Sequence, residues 1–221
     1  MTTIYQLEHS PFCIPVVAIF RALGVPLREV NVPNSDRSEI IKLTKGAYYQ
    51  VPVLVDDDEK VVFETSPESQ DVARYVDEKF ADGRLFPPRL TGIQSILISY
   101  LENEVEGVTF KLTDPKYLDD IEDTVERVMT LRHKERKFGR GCVEQWRQQA
   151  PELRAQTEKL LLPFEQMLRF SPFLLNDAPV YADYLLFGII GNLTYRGYNE
   201  IPAGLSSLKD WNKRIRDHHF E

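Results

Sequence analysis

Cysteine is scarce in this chain of 221 residues, with Cys13 and Cys142 as the only two. Two cysteines so far apart do not form the dense disulfide framework of small secreted proteins, and a reducing compartment suits them best. No apolar run is long enough for a membrane-spanning helix. The first ten residues, MTTIYQLEHS, lack the basic and apolar segments of a secretory signal. We therefore expect a cytoplasmic protein that does not enter a membrane.

An excess of positive charge is also missing. Lysine and arginine number 27 against 34 aspartates and glutamates, which gives a net charge of -7. Nucleic acid is therefore not expected as a main partner, because phosphate binding needs a basic face. The hydrophobic fraction of 43% is ordinary for a globular protein with an ample core.

Residues 1–82 alternate strand-like and helix-like segments. Hydrophobic patterning and turn residues predict the order β-α-β-α-β-β-α. The predicted segments are a strand at Thr3–Leu7, a helix from Pro11 to Gly24, a strand at Leu27–Val32, a helix at Asp36–Lys45, a hairpin of VPVLVDD and KVVFET, and a helix that Ser66 caps.

Residues 83–92, GRLFPPRLTG, break the periodicity and predict a linker. Residues 93–221 show no strong strand pattern, and we expect an all-α domain there. Its predicted helices are Ile93–Val105, Tyr117–Lys137, Val143–Arg169, Tyr181–Tyr195 and Leu205–Arg216. The sequence thus predicts a small α/β domain followed by a helical bundle.

Four short motifs occur in a characteristic order. They are Ser10-Pro11-Phe12-Cys13, Val51-Pro52-Val53-Leu54, Glu68-Ser69 ahead of Tyr75, and DAPVYADYLLFG from Asp177. Together they resemble the glutathione S-transferase superfamily over essentially the whole chain. The resemblance implies a thioredoxin-like domain, an all-α domain, glutathione as co-substrate without a metal, a small electrophilic second substrate, a role in detoxification and a two-fold homodimer.

The resemblance also implies roles for individual residues. Ser10 would stabilise the glutathione thiolate, with Phe12 beside it. Pro52 would follow a cis peptide bond, leaving the backbone of Val51 to pair with the cysteinyl part of glutathione. Glu68 would hold the ammonium group. Ser69, at the third position of the helix capped by Ser66, would reinforce an anion site for the γ-glutamyl carboxylate.

The chemistry of Ser10 is consistent with this role. A free thiol has a pKa near ~8.5, and lowering it by ~2 units needs roughly 2.7 kcal/mol of preference for the anion. A hydroxyl donor to a charged acceptor supplies about 1.5–3 kcal/mol and a helix N-terminus about 0.3–1 kcal/mol. Ser10 is also predicted as the N-cap of a helix opened by Pro11, and the two roles are compatible.

Two other functions stay open at this stage. Cys13 could serve a glutathione-dependent thiol reductase, although a packed, inert thiol is the more common state of such a cysteine. The chain could also be a non-catalytic glutathione-binding scaffold. Two departures from the family keep that alternative open, namely Gln50 where relatives carry lysine and an extra TSP before Glu68. Val180, where relatives have a capping residue, is expected to affect the start of its helix more than the chemistry.

The segment RHKERKFGRGC, residues 132–142, is dense in cations. A solvated helix end is the first interpretation, because cations complement the helix dipole there. The second interpretation is an electropositive wall beside the active cleft that selects anionic or phosphorylated substrates.

Overall fold

The computed structural model describes residues 1–66 and 69–220. The first domain is a four-stranded sheet with helices on both faces. Its elements are β1 (Thr2–Gln6), α1 (Cys13–Ala22), β2 (Leu27–Asn31), α2 (Ser38–Leu43), β3 (Val53–Val55), β4 (Val61–Val62) and α3 (Asp71–Val76), which continues as a π-helical turn (Asp77–Ala81). The predicted α/β order is confirmed.

The sheet has the strand order β2-β1-β3-β4, with β1 and β2 parallel and the other pairs antiparallel. Successive side chains of a strand point to opposite faces. Val53 accordingly packs with Ile40 of α2, whereas Leu54 joins the cluster that contains Ile4 and the buried residues of α1 and α3. The sheet therefore holds the loop after β1 and the loop before β3 at neighbouring positions.

The second domain is helical throughout its described residues. Its elements are a 3-10 turn (Pro88–Leu90), α4 (Thr91–Tyr100), a π-helical turn (Leu101–Val105), α5 (Glu106–Asp120), α6 (Thr124–Phe138), α7 (Cys142–Gln148), α8 (Ala150–Leu168), α9 (Tyr181–Leu193), a 3-10 turn (Tyr195–Gly197) and α10 (Ser206–Arg216). No helix in the described part is long and apolar enough to cross a membrane.

Several predicted boundaries were wrong. Thr91 and Gly92, placed in the linker, belong to α4. The helix predicted at Tyr117–Lys137 is divided because α5 ends at Asp120 and Asp123 caps α6 by accepting a hydrogen bond from the Glu126 amide, at 2.7 Å. The helix predicted at Val143–Arg169 is likewise two helices, with α8 beginning at Ala150.

Helix α9 connects the domains and lies in the main core. A Cβ atom at Gly188 would lie 2.3 Å from the carbonyl oxygen of Pro11 and 2.6 Å from the ring of Pro15, so only glycine allows this approach. Four residues further along, Asn192 donates its side-chain amide to the carbonyl oxygen of His9, at 2.7 Å. The second domain therefore fixes the position of the loop that carries Ser10.

Val180 was expected to leave the start of α9 without a side-chain cap, and it has none. The Asp183 carboxylate replaces that cap by accepting hydrogen bonds from the amides of Val180 and Leu174, at 3.1 and 2.9 Å. It also accepts one from the indole N–H of Trp211, at 3.0 Å. The helix start is thus stabilised from the third helical position and by α10.

Candidate active site

Ser10 lies in the loop between β1 and α1 and is 8% exposed. Its hydroxyl oxygen accepts a hydrogen bond from the Phe12 amide, at 3.3 Å, and its carbonyl oxygen accepts from Cys13 and Ile14. The prediction that Ser10 caps a helix opened by Pro11 was wrong. Pro11 and Phe12 form a turn, and α1 begins at Cys13 with Phe12 at the N-cap position. Ser10 therefore stands one turn ahead of the helix.

Cys13 is fully buried beside Ser10. Burial raises the pKa of its thiol to about 11, although a hydrogen bond from the Ser10 side chain works in the opposite direction. At neutral pH the sulfur is therefore a neutral thiol, which is a weak acceptor. The Ser10 hydroxyl would donate a stronger hydrogen bond to a thiolate in the adjoining space, because hydrogen bonds to ionised acceptors are roughly twice as strong as those to neutral ones.

The loop before β3 faces Ser10 across the interdomain space. The peptide bond between Val51 and Pro52 is cis. Phe12, Gln50 and Val51 line two adjoining cavities. The first cavity, of about 540 Å³, reaches Pro52, Glu64 and Glu102, and we call it the domain cleft. The second cavity, of about 300 Å³, reaches Ser10 and the helices of the second domain, and we call it the polar pocket.

The start of α3 differs from the prediction. The helix begins at Asp71, after Gln70 in a left-handed conformation with φ 53°, so Ser66 is not its N-cap and Ser69 is not at its third position. The reason is Glu64, whose carboxylate accepts hydrogen bonds from the amides of Asp71 and Val72, at 2.7 and 3.2 Å, and from the hydroxyl of Ser69, at 2.8 Å. Glu68, predicted to hold the ammonium group, lies outside the described residues.

Three carboxylates, those of Glu64, Glu102 and Glu106, line the domain cleft. Burial raises the pKa of each of them. The Gln70 side-chain amide donates to Glu102, at 2.6 Å. These carboxylates are suited to a ligand that carries an ammonium group.

The basic segment at residues 132–140 divides between solvent and the polar pocket. Arg132 pairs with Glu135 on the exposed face of α6. His133, Lys134 and Lys137 line the polar pocket, and Lys134 forms an ion pair with the buried Asp114 of α5. Part of the segment therefore lines the pocket, as the second interpretation expected, and part lies in solvent, as the first expected.

Sequence reasoning missed several residues of the polar pocket. They are Arg37 before α2, Glu106, Asp114 and Tyr117 on α5, Thr130 on α6 and Asn192 on α9. No motif or spacing links them, since the fold alone brings them together. Glu106 is distinctive because burial, followed by the charge of Asp114, raises its pKa to about 7.

His9 closes the pocket beside Ser10. Its ring stacks on Tyr117 with the centroids 4.0 Å apart. Burial, and then the positive charges of Lys134, Arg37 and Arg196, lower its pKa to about 4. His9 is therefore a neutral ring at neutral pH.

Comparison with known proteins shows what this architecture is similar to. Residues 4–84 match the family described as glutathione S-transferase, N-terminal domain. The match runs from within β1 past the end of α3 and includes the Ser10 loop and the cis-proline loop. The resemblance seen in the sequence is thereby confirmed.

Solved structures extend the glutathione S-transferase fold to the whole chain. Glutathione transferase GSTFuA3 from Phanerochaete chrysosporium superposes with a TM-score of 0.81 at 15% identity, covering 100% of this chain and 98% of that one. Glutaredoxin 2 from Salmonella typhimurium, in complex with glutathione, has a TM-score of 0.73 at 23% identity, with 99% and 96% covered.

A third structure, the glutathione S-transferase CsGST63524 of Ceriporiopsis subvermispora in complex with glutathione, has a TM-score of 0.77 at 16% identity, with 97% and 93% covered. By sequence, no curated protein matches the chain. The fold class predicted from the sequence, a thioredoxin-like domain followed by an all-α domain, is confirmed.

Proposed function

We propose that the chain is a glutathione-dependent transferase in which Ser10 stabilises the glutathione thiolate for attack on a small electrophile. The observation that carries the proposal is the position of the Ser10 hydroxyl. It lies at the polar pocket where the two domains meet, and within the described part of the chain the acceptor that competes for its hydrogen is the neutral Cys13 thiol. Glutathione complexes of structural neighbours support the choice of ligand.

The surrounding groups suggest how glutathione would lie. Its cysteinyl part would extend along the backbone of Val51, next to the cis-proline loop. Its ammonium group would face Glu64 and Glu102 in the domain cleft. Gln50, at the mouth of both cavities, offers an uncharged hydrogen bond to the glycyl carboxylate.

The thiol pKa of bound glutathione tests the proposal. We expect a titration followed by thiolate ultraviolet absorbance to give a pKa about 2 units below that of free glutathione. Ser10→Ala should raise the thiol pKa of bound glutathione most of the way back to that of free glutathione. It should also lower turnover at neutral pH by about 10-fold to 100-fold. Ser95→Ala is the matched control, because the exposed Ser95 hydroxyl bonds only to its own helix, at Thr91. Binding with an unshifted thiol pKa would instead indicate a scaffold.

The thiol reductase alternative depends on Cys13. The fully buried sulfur and its raised pKa argue against it. We expect the native chain to resist alkylation by iodoacetamide at neutral pH, and Cys13→Ser to keep the conjugating activity. Loss of a thiol-disulfide exchange activity in Cys13→Ser would overturn this assignment. Exchange at wild-type rates in the variant would remove Cys13 from the chemistry.

The homodimer and the cytoplasmic location remain part of the proposal. Ile93 and Ile96 on α4 are 46% and 66% exposed, which is unusual for isoleucines on a helix of an ordinary surface. Sedimentation of the purified chain, compared with Ile96→Lys, tests the dimer. A chain that stays monomeric at all concentrations would contradict the proposed dimer.

A further inference from the structure

The polar pocket contains buried polar atoms that no group in the described part of the chain satisfies. They are Nη1 of Arg37, Oγ1 of Thr130 and Oδ1 of Asn192. The three residues come from the first domain, α6 and α9, and all three line the pocket. A buried polar atom without a partner costs about 1–3 kcal/mol, so three in one cavity indicate a ligand that carries matching groups.

The guanidinium of Arg37 is the most informative of them. Its Nη2 donates to the side chain of Asn34, at 3.0 Å, whereas Nη1 has no hydrogen-bond partner and the guanidinium forms no ion pair with any described residue. Half-buried cations are normally paired, because burial disfavours the charged form. Here burial does lower the pKa of Arg37, and the guanidinium nonetheless stays charged. An anion is the complement that this group lacks.

The remaining charges of the pocket favour the same kind of ligand. Lys137 adds a second cation without an ion partner among the described residues, and Lys134 adds a third, which Asp114 neutralises. Burial lowers the pKa of both His9 and His133, which favours their neutral rings. Glu106 is the one other carboxylate that lines the pocket, and protonation neutralises it progressively as the pH falls below its pKa of about 7.

We propose that the polar pocket binds the second substrate through a carboxylate, held by Arg37 with Thr130 beside it, so that the enzyme selects small anionic electrophiles. This inference rests on the proposed function and adds the substrate class. A planar carboxylate suits the two-pronged donor geometry of a guanidinium. The cavity of about 300 Å³ admits a single substituted ring or a short acid.

A benzylic chloride gives a balanced test reaction. The glutathione thiolate attacks the benzylic carbon of 4-(chloromethyl)benzoate, the S–C bond forms, the C–Cl bond breaks, and chloride leaves with the electron pair. The thiol proton passes to solvent. The amide 4-(chloromethyl)benzamide has the same reacting carbon without the charge, and each enzymatic rate is divided by its uncatalysed rate.

We expect kcat/KM to favour the benzoate over the benzamide by about 10-fold or more. Arg37→Gln should lower this ratio to near one, and Thr130→Val should lower it several-fold while keeping the shape of the side chain. Arg136→Gln is the matched control, since Arg136 is exposed, lies in the same basic segment and does not line the pocket. Circular dichroism checks that each variant is folded. If Arg37→Gln does not fold, the lowered benzoate-to-benzamide ratio of Thr130→Val tests the inference instead.

Two results would overturn the inference. One is a wild-type ratio near one. The other is an Arg37→Gln variant with an unchanged ratio and a raised KM for glutathione, which would assign Arg37 to the glycyl carboxylate. Calorimetry with unreactive 4-methylbenzoate and 4-methylbenzamide, in the presence of glutathione, separates this inference from the proposed function. Selective benzoate binding without turnover supports the anion pocket and contradicts the transferase, whereas equal binding of the two contradicts the pocket.

Discussion

The hydroxyl of Ser69 donates a hydrogen bond to the carboxylate of Glu64, at 2.8 Å. The same carboxylate accepts from the first two amides of α3. From the resemblance, the Ser69 hydroxyl was expected to reinforce an anion site for the γ-glutamyl carboxylate of glutathione. In the structure the Glu64 carboxylate occupies that hydroxyl and the first amides of α3, so glutathione bound as proposed would compete with Glu64 there or lie beside it.

Glu64→Ala should destabilise the fold. The variant leaves the start of α3 without its acceptor, and loss of a helix cap costs about 0.5–2 kcal/mol. Urea unfolding of the variant measures the change in the free energy of unfolding. Glu104→Ala is the control, because Glu104 is exposed on the π-helical turn Leu101–Val105 and its side chain makes no hydrogen bond with any described residue. Equal stabilities of the two variants would contradict the capping role.

Gln50→Lys should strengthen glutathione binding. The substitution adds a positive charge at the position where the resemblance seen in the sequence implies a lysine, on a side chain that lines both cavities. Because the site is exposed, we expect a gain of about 0.5–1 kcal/mol, or roughly 2-fold to 5-fold in Kd, that diminishes with salt. Calorimetry at two salt concentrations measures it. Gln148→Lys, an exposed residue of α7, controls for net charge, and an equal gain in that variant would contradict a local effect.

His9 should make the fold sensitive to mild acid. Its pKa is about 4 in the folded chain, against 6.5 for an unperturbed histidine, so the unfolded state binds the proton first as the pH falls. Its contribution is complete above about pH 6.5 and is lost between about pH 6.5 and pH 4. We expect about 2 kcal/mol less stability at about pH 5 than at about pH 7 from this group.

His9→Phe tests that contribution because it keeps the stack on Tyr117 and removes the titration. Urea unfolding at both pH values should show a smaller difference in the variant than in the wild type. A loss of stability with acid that is the same in both would assign the effect to other groups.

Glu106 should make anion binding depend on pH. Its pKa is about 7, so raising the pH from about 6 to about 8 adds a negative charge to the polar pocket and weakens binding of 4-methylbenzoate. The charged or titratable groups that act on it are Glu102, Asp114, Lys134 and Lys137, with Arg37 facing it across the pocket. Glu106→Gln should bind benzoate with little change over that range, and Glu104→Gln should keep the dependence. If 4-methylbenzoate binding depended on pH equally in Glu106→Gln and in the wild type, Glu106 would not be the group responsible.

The fold was predictable because its signals are local. Alternating β-branched residues marked the strands, and helical spacing marked α1 and α9. Two missed boundaries also had signals in the sequence, namely Asp123 with Glu126 three residues later, and Pro151 in the first turn of α8. The sequence signal for the start of α3 was misleading, because Ser66-Pro67 is typical of a helix start in isolation. Only in the folded chain does the Glu64 carboxylate reach the amides of Asp71 and Val72.

The candidate site was predictable only where a motif carries it. Ser10, Val51 and Pro52 lie in such motifs, and the structure places them at the two adjoining cavities. Arg37, Thr130 and Asn192 are ordinary residues in the sequence. They are buried, lack partners and lie close together only because three separate parts of the chain pack against one another. A sequence pattern within one helix or strand therefore cannot predict them.

The close approach at Gly188 makes the first domain dependent on the second. Because α9 presses directly on the backbone of Pro11, the Ser10 loop has the shape of an interface rather than of an autonomous loop. The family match ends near residue 84, yet the contacts that position the Ser10 loop extend beyond it to Gly188 and Asn192. Grafting residues 4–84 onto another helical domain would therefore transfer the sheet without the contacts that shape this loop.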